Sequence, residues 1–583
     1  MTFFHKYLEL RTPTLASAAD DTEPGPLEKV QAEIIECVGL YAEKYEEEFT
    51  PFMPALVDDV WKLLSSMGPE KMLAPNMDDL VSRSVRVLSA VVDKPTLAAS
   101  FENEATLQGI ITHIVVPNMT LRASDLENME DNPVNFIRGD IEGSDADTRR
   151  RVASDLVRTL ARHKPERVTP IVMNVVQTLL ANYEMNKEAN MGNKDAAISI
   201  LMAIAIKSTT AAAGVTSVNE AVSLAEMLRI HVLPELSGGS VDERPLARAA
   251  CIKFVATFRG LFGRDELHAL LPLLATLLGS RHYVVHTYAA AAIERILSVK
   301  DTPAATDGSQ RARPFPRVSI DAVVPLIAPV LGSLFSRMAG TVGEDNEYLM
   351  RCVMRIVAFA KERCASVTSH IMTALTTILG RVCRNPINPS FNHYMFESIA
   401  CLIRATCTST PAAVADFEAL LFPNFQTVLS NEVLEFMPYV FQLLAELLDL
   451  CPPPASGAPA LSPSFTSILQ FIITTPPWTR DGNIPPLTSL LVVFIRKCWP
   501  LIASENLLGP ILNIWNFLAT KSNAEHHGYT IFNALLETAP LEALVHQQYL
   551  SVILNVSTTR IAQTSACALA PPVPPSIPLA ITR

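Results

Sequence analysis

An apolar helical rhythm that restarts every roughly 40–50 residues is what most restricts the fold of this chain. In IIECVGLYAEKYEEEF, the residues Ile34, Val38, Tyr41, Tyr45 and Phe49 recur every three or four positions and draw one stripe along a helix. The helices follow in pairs. Residues 51–67 precede 78–93, 149–163 precede 167–183, and 265–279 precede 282–299; residues 431–450 and 485–503 continue the series. The first member of a pair often carries proline near its start or middle: Pro54, Pro170, Pro272, Pro325 and Pro438. Proline fits a first turn and kinks a helix interior. No strand-like alternation persists anywhere in the sequence.

The chain has 583 residues, too many for a single hydrophobic core, which stops growing near ~250–300 residues. One helix pair has too little core to stand alone, so neighbours must stack. The unit length is that of the two-helix HEAT repeat. The expected fold is all-α: a HEAT-repeat α-solenoid, a superhelix of roughly ten to twelve antiparallel helix pairs without a sharp internal boundary. Residues 1–26 read as a short helix and a polar loop (RTPTLASAADDTEPGP from 11), 27–558 as the solenoid, and 559–583 as a Pro-rich tail that cannot be helical. Residues 301–314 and 452–463 read as further loops, the latter of low complexity.

Composition excludes several function classes. A net charge of -12 argues against general nucleic-acid binding, which needs Lys and Arg to replace phosphate counterions. The ten cysteines form no C-x-x-C pair and mostly sit in apolar helical text, as Cys352 does in EYLMRCVMRIVAF. Buried free thiols in a reducing compartment are expected. The N-terminus, MTFFHKYLEL, is not a signal peptide. No charge-free apolar run reaches the ~18–20 residues that span a bilayer, so no membrane insertion is expected. There is no G-x-S-x-G, P-loop or G-x-G-x-x-G, and no residues assemble a nucleophile, base and oxyanion donor. An enzyme is not expected, nor a cofactor. His282 and His286 share a helix face at i, i+4, but no third ligand stands close in sequence. Packing and hydrogen bonding between stacked helices is the reading for them. His526 and His527 are adjacent and fall on different faces of a helix. The aromatic helix FNHYMFESIACLIRATC (391–407) reads as core.

One stretch breaks the apolar rhythm. EDNPVNFIRGDIEGSDADTRRR (130–151) carries ten charges in 22 residues, against 18% for the chain. Asp145 or Asp147 is a suitable N-cap for a helix starting near Thr148. Arg149, Arg150 and Arg151 would open that helix against its dipole, a local cost unless acidic groups offset them. Glu130, Asp131, Asp140, Glu142 and Asp145 are the nearby candidates. A polar loop of this length between two repeat helices points to partner contact; a solvated, self-paired loop is the alternative.

The same text carries a family resemblance. VVPNMTLRASDLENMEDNPVNFIRGDIEGSDADTRRRVASDLVR (115–158) resembles the central signature of CAS/Cse-type exportins, the importin-α re-exporters of the importin-β (karyopherin) superfamily. NKDAAISILMAIAIKS (193–208), VVHTYAAAAIERIL (284–297), EDNEYLMRCVMRI (344–356), NPINPSFNHYMFESI (385–399), PAAVADFEALLFPNF (411–425) and WTRDGNIPPL (478–487) are similar to its successive HEAT repeats.

The resemblance implies a nuclear export receptor. It binds importin-α as cargo together with GTP-loaded Ran in the nucleus, and GTP hydrolysis in the cytoplasm releases both. Such a receptor shuttles through the pore as a monomer and can meet FG nucleoporins on the way. In the family, an insertion inside the coil lies near both partners and couples them. The matching segment is 122–151, and the resemblance carries over Arg122, Asp125, Glu127, Glu130, Asp131, Phe136, Arg138, Asp140, Glu142, Asp145 and Asp147 as partner contacts. Arg149, Arg150 and Arg151 would brace the insert against the following helix. The family pattern reads closer to EYIRRDLEGSD, so Gly139 stands in place of an arginine. The family's N-terminal arch and C-terminal end lie beyond the resemblance, and a chain short of both is expected. The alternatives are a karyopherin for other cargo, or a HEAT scaffold indifferent to nucleotide.

Overall fold

The structure is a computed structural model. It describes the chain except at residues 1, 13–14, 17–22, 93, 98–100, 143–147, 211–213, 303–312, 340–344, 385, 453–460, 546–548, 552, 557 and 559–583. Its internal contacts divide into two compact units, Met1–Ile356 and Val357–Arg583. The sequence pattern placed no boundary there. In a fold where each repeat touches only its neighbours, such a division follows local contact density rather than a linker.

The longer helices of the first unit are α1 (Pro26–Lys44), α2 (Met53–Ser66), α3 (Asp78–Val91), the pair α4 (Ala123–Asp131) and α5 (Pro133–Glu142), then α6 (Arg149–His163), α7 (Pro165–Met185), α8 (Met191–Ala205), α9 (Pro245–Phe258), α10 (Arg264–Leu277), α11 (Tyr283–Leu297) and α12 (Ile320–Met338); α13 (Glu347–Ala360) begins in it. Helices α1, α3, α6, α8, α9 and α11 stack one upon the next as a single layer. Helices α7 and α10 pack on this layer, and α12 packs on α10. The sequence explains which helices lie inside. In α11, YVVHTYAAAAIERIL, four consecutive alanines let neighbours approach on every face, and nearly the whole helix is buried. In α8, apolar residues likewise run all round, as a helix enclosed on all sides requires.

The prolines sit where backbone chemistry allows. Pro54 opens α2, while Pro170, Pro272 and Pro325 lie inside α7, α10 and α12.

Two expectations are corrected. A hairpin, β1 (Ile206–Thr210) with β2 (Gly214–Val218), follows α8 and pairs antiparallel. Gly214 stands at φ 76, and a Cβ there would strike Arg259 and the Thr257 carbonyl. The alternation test missed the hairpin because only Val215 in it is fully buried; an exposed ribbon has no apolar face to alternate. Segment 122–151 is not a simple loop either: most of it is the helices α4 and α5.

The second unit repeats the pattern with α14 (Thr368–Val382), α15 (Pro389–Cys407), α16 (Val414–Ser430), α17 (Met437–Leu450), α18 (Pro463–Ile472), α19 (Ile484–Ser504), α20 (Leu508–Ala519) and α21 (Glu525–Thr538). Helices α15, α17, α19 and α21 stack successively. Phe391, Met395, Phe396 and Ile399 of α15 are buried, as a core helix requires. Pro438 opens α17. The rings of His526 and His527 lie 3.8 Å apart, so they share one patch rather than different faces.

By length and composition, Ile320–Met338 and Asp481–Ser504 could cross a membrane. Here both are repeat helices, α12 against α10 and α19 against α17 and α21. The nine cysteines among the described residues are free thiols. Burial pushes Cys251 up to about 12 and Cys364, Cys383, Cys407 and Cys498 up to about 11, which suits inert packing groups.

Candidate functional site

The insert begins with a self-locking turn. Asp125, at the third position of α4, accepts from the Arg122 backbone N–H at 2.9 Å and from its guanidinium at 3.1 Å. Arg122 also reaches Asp78 at the start of α3, at 2.7 and 3.2 Å. Burial would lift the Asp125 carboxyl, but the Arg122 hydrogen bonds outweigh it and hold the group low. Pro133 ends α4, because the residue before a proline is driven out of the helical region; Asn132 sits at φ -137, ψ 61. The chain turns there and continues as α5.

The two helices are buried unequally. Helix α4 buries no residue, and Glu127, Glu130 and Asp131 are exposed on it. Helix α5 buries Ile137 fully. Its Arg138 pairs with Glu347 of α13 at 3.3 Å, and Phe136 is half-buried. Asp140 makes the firmest contact. Lys253 Nζ of α9 lies 2.5 Å from its Oδ1, and the Tyr288 hydroxyl of α11 donates to its Oδ2. Burial would raise this carboxyl, but Lys253 and Arg150 prevail and hold it at about 2. The Tyr288 hydroxyl is pushed well up, by burial first and then by the Asp140 charge.

The arginines behind the insert turn to the neighbouring repeats. The N-cap of α6 is Thr148, whose Oγ1 accepts from the Arg151 N–H at 3.3 Å. A helix that begins at 149 leaves positions 145 and 147 too far back for that role. Asp145, Asp147 and the Glu142 side chain lie outside the described residues. Arg149 turns to α3, with its Nε 2.6 Å from Asp78 Oδ1, its Nη2 3.0 Å from the Ala74 carbonyl and its Nη1 on the Met72 carbonyl. Arg150 turns to α8, 2.5 Å from Asp195 Oδ2 and 2.5 Å from Ser199 Oγ. These two brace α6 against its neighbouring repeats. Their main counter-charges come from Asp78 and Asp195; of the five acids near in sequence, Asp140 contributes, to Arg150. Sequence reasoning missed Asp78, Asp195, Lys253, Tyr288 and Glu347, which no local motif marks.

A polar cleft of ≈ 780 Å³ opens beneath the insert, between α3 and α5; Arg83, Asp78, Phe136 and Asp140 line it. A second, of ≈ 410 Å³, lies beyond the same junction, lined by Arg158, Ser199 and Lys253. Gly139, Asp140, Thr148 and Arg150 line both. The histidines noted for metal turn elsewhere. The His282 Nε2 meets the Asp242 carbonyl and the His286 Nδ1 meets the Ser280 carbonyl, each at 3.1 Å.

Stacked antiparallel pairs with a polar helical insert define the molecule as a HEAT-repeat α-solenoid. The family described as Cse1 matches residues 1–293, and that described as CAS/CSE protein, C-terminus, matches 294–569. The chain belongs to the CAS/CSE family. It is 36% identical to Exportin-2 of Xenopus laevis over 96% of its own length and 56% of the relative's. It is also 36% identical to Exportin-2 of Oreochromis niloticus, over 97% and 56%. A solved structure described as the exportin Cse1 in its cargo-free, cytoplasmic state superposes with TM-score 0.78 at 29% identity, covering 96% of this chain and 57% of that one. The chain thus spans just over half the length of the curated relatives it matches.

Proposed function

We propose that this chain is a nuclear export receptor that takes importin-α as cargo together with GTP-loaded Ran and returns it to the cytoplasm. The relatives named Exportin-2 support the class. The observation that carries the reading is the insert: a helix that buries nothing, α4, presents Glu127, Glu130 and Asp131 while its companion α5 is tied to the solenoid. The solenoid of 27–558 is the frame and 122–151 the coupling element. Arg122, Asp125, Phe136, Arg138 and Asp140 shape and hold that element, and Glu127, Glu130 and Asp131 meet the partner. The chain acts by binding rather than turnover, as a monomer that shuttles between nucleus and cytoplasm and meets FG nucleoporins in transit. Binding of the purified chain to importin-α, with and without GTP-locked Ran, tests it. Mutual strengthening of the two partners is expected. Binding indifferent to nucleotide would favour a plain scaffold, and binding to neither would overturn the reading.

A further inference from the structure

Besides the Arg138–Glu347 pair, the insert stands on two feet. One is Arg122 on Asp78, at the start of α4. The other is Asp140, near the end of α5, and it is the more elaborate. Lys253 from α9 and Tyr288 from α11 both reach the Asp140 carboxylate, across 113 and 148 positions of sequence. Arg150 from α6 adds its charge to Asp140 while holding Asp195 and Ser199 of α8. Two carboxylates, Asp140 and Asp195, face two cations, Arg150 and Lys253. The group is neutral as a whole, each charge has a hydrogen-bonded partner, and the side chains keep between 9% and 25% of their surface exposed. Two stacked helices, α9 and α11, thus converge on one insert side chain.

Helix α4 has no such attachment along its length among the described residues. It joins α5 at the Asn132–Pro133 corner, where the proline ring fixes one dihedral and restricts the next. The direction of α4 therefore follows from where α5 is held.

We propose that Lys253 and Tyr288 are positioning residues: they hold α5 through Asp140, and by holding it they fix where the exposed acidic face of α4 stands. The inference rests on the partner-binding reading of the insert and deepens it by naming what sets its geometry. Both residues lie outside the insert, and their roles are invisible in the sequence around them. Asp140, in turn, belongs to the anchor and not to the presented surface.

The test is amide hydrogen exchange over residues 133–142 in the full chain and in its Tyr288→Phe, Lys253→Met and Lys253→Arg variants, beside affinity for importin-α in the presence of GTP-locked Ran. Tyr288→Phe removes one hydroxyl and Lys253→Met one charge, each keeping the apolar bulk of its side chain. Both should speed exchange in 133–142 about tenfold and weaken partner affinity roughly fivefold, with overall helix content unchanged. Lys253→Arg keeps the charge and should restore both readouts. Unchanged exchange in the Phe and Met variants would overturn the proposal whatever binding does. Faster exchange at full affinity would also overturn it, because α4 would then need no anchor to meet its partner. If the wild-type chain binds neither partner, the partner-binding reading fails, and the exchange measurement alone decides whether the cluster holds α5.

Discussion

Asp78 accepts both terminal nitrogens of Arg122, at 2.7 and 3.2 Å, and the same carboxylate lies 2.6 Å from Arg149 Nε. One acid at the head of α3 thus serves the first residue of the insert and the first residue of the helix after it. Arg149 is nearly enclosed, with 5% of its side chain exposed, and its other nitrogens meet backbone carbonyls. Asp78→Asn would leave that guanidinium without its charge partner. Breaking a buried pair costs ~3–5 kcal/mol, but Asp78 is itself 45% exposed, so solvent screening lowers the expected loss to about 2 kcal/mol. The denaturant midpoint should fall with an unchanged slope. A loss below about 0.5 kcal/mol would mean that the carbonyls alone satisfy Arg149.

His286 gives the chain an acid-sensitive point away from the insert. Burial pushes its imidazole down to about 4, against a smaller upward pull from the Ser280 carbonyl. The unfolded chain protonates this group near ~6.5. Between ~6.5 and about 4 the unfolded state therefore binds a proton that the folded state refuses, and stability falls with pH; below that both forms are protonated and the loss stops. The full effect is about 3 kcal/mol. His286→Gln, whose amide can still donate to Ser280, should be the less stable chain at pH 8. Its deficit should shrink as pH falls towards 4.5. A deficit constant across that range would show that His286 does not titrate differently on unfolding.

Two buried tryptophans in the second unit make a matched pair. Trp478 donates from Nε1 to the Ile472 carbonyl at 2.6 Å. Trp515 stacks on Phe532, with ring centroids 4.6 Å apart, and its Nε1 has no partner among the described residues. Replacement by Phe removes the same volume from each. At 478 it also strands a carbonyl, while at 515 it removes an unsatisfied donor. Trp478→Phe should be the more destabilising of the two, by about 1–2 kcal/mol in denaturant titrations. Equal losses would mean that volume alone governs both sites.

Much of this fold is legible because an apolar helical stripe is a local pattern. Residues 265–279 and 282–299, paired by periodicity alone, form Arg264–Leu277 and Tyr283–Leu297. The hairpin at 206–218 was hidden because its side chains face water. The helices of the insert were hidden by polarity, although Asp125 at a third helical position and Pro133 at a first one were signals that could have been used. The position of the insert was legible in its charge density. Its attachment was not: the partners of Asp140 and Arg138 lie 113, 148 and 209 positions away. Tyr288 sits in an apolar run, where it reads as one more core residue.

Gly139 offers a change in the stabilising direction. It lies inside α5, and a Cβ built there meets nothing within 4 Å. Glycine in a helix interior costs roughly 0.5–1 kcal/mol relative to alanine. Gly139→Ala should therefore slow amide exchange in 133–142 by about threefold. The arginine of the family pattern also has room at this position, on the side that faces both clefts. Exchange unchanged or faster in the alanine variant would show that α5 is limited by its anchor at Asp140 and not by backbone entropy.

The exposed acids of α4 separate affinity from stability. Glu127, Glu130 and Asp131 lie on a helix with no buried residue, so reversing their charge should move folding stability by less than about 0.5 kcal/mol. If they face a basic partner surface, they act mainly by steering encounter, an effect that salt screens over ~10 Å at 0.1 M. The triple variant Glu127→Lys, Glu130→Lys, Asp131→Lys should associate with importin-α and GTP-locked Ran about tenfold more slowly at low salt, and the gap should close as salt is raised. Stopped-flow association at two ionic strengths reads both. A salt-independent loss would place these residues in direct contact with the partner, where removal of one side of a desolvated pair speeds dissociation. No change at either salt would move the partner surface off α4 altogether, to the walls of the cleft beneath it.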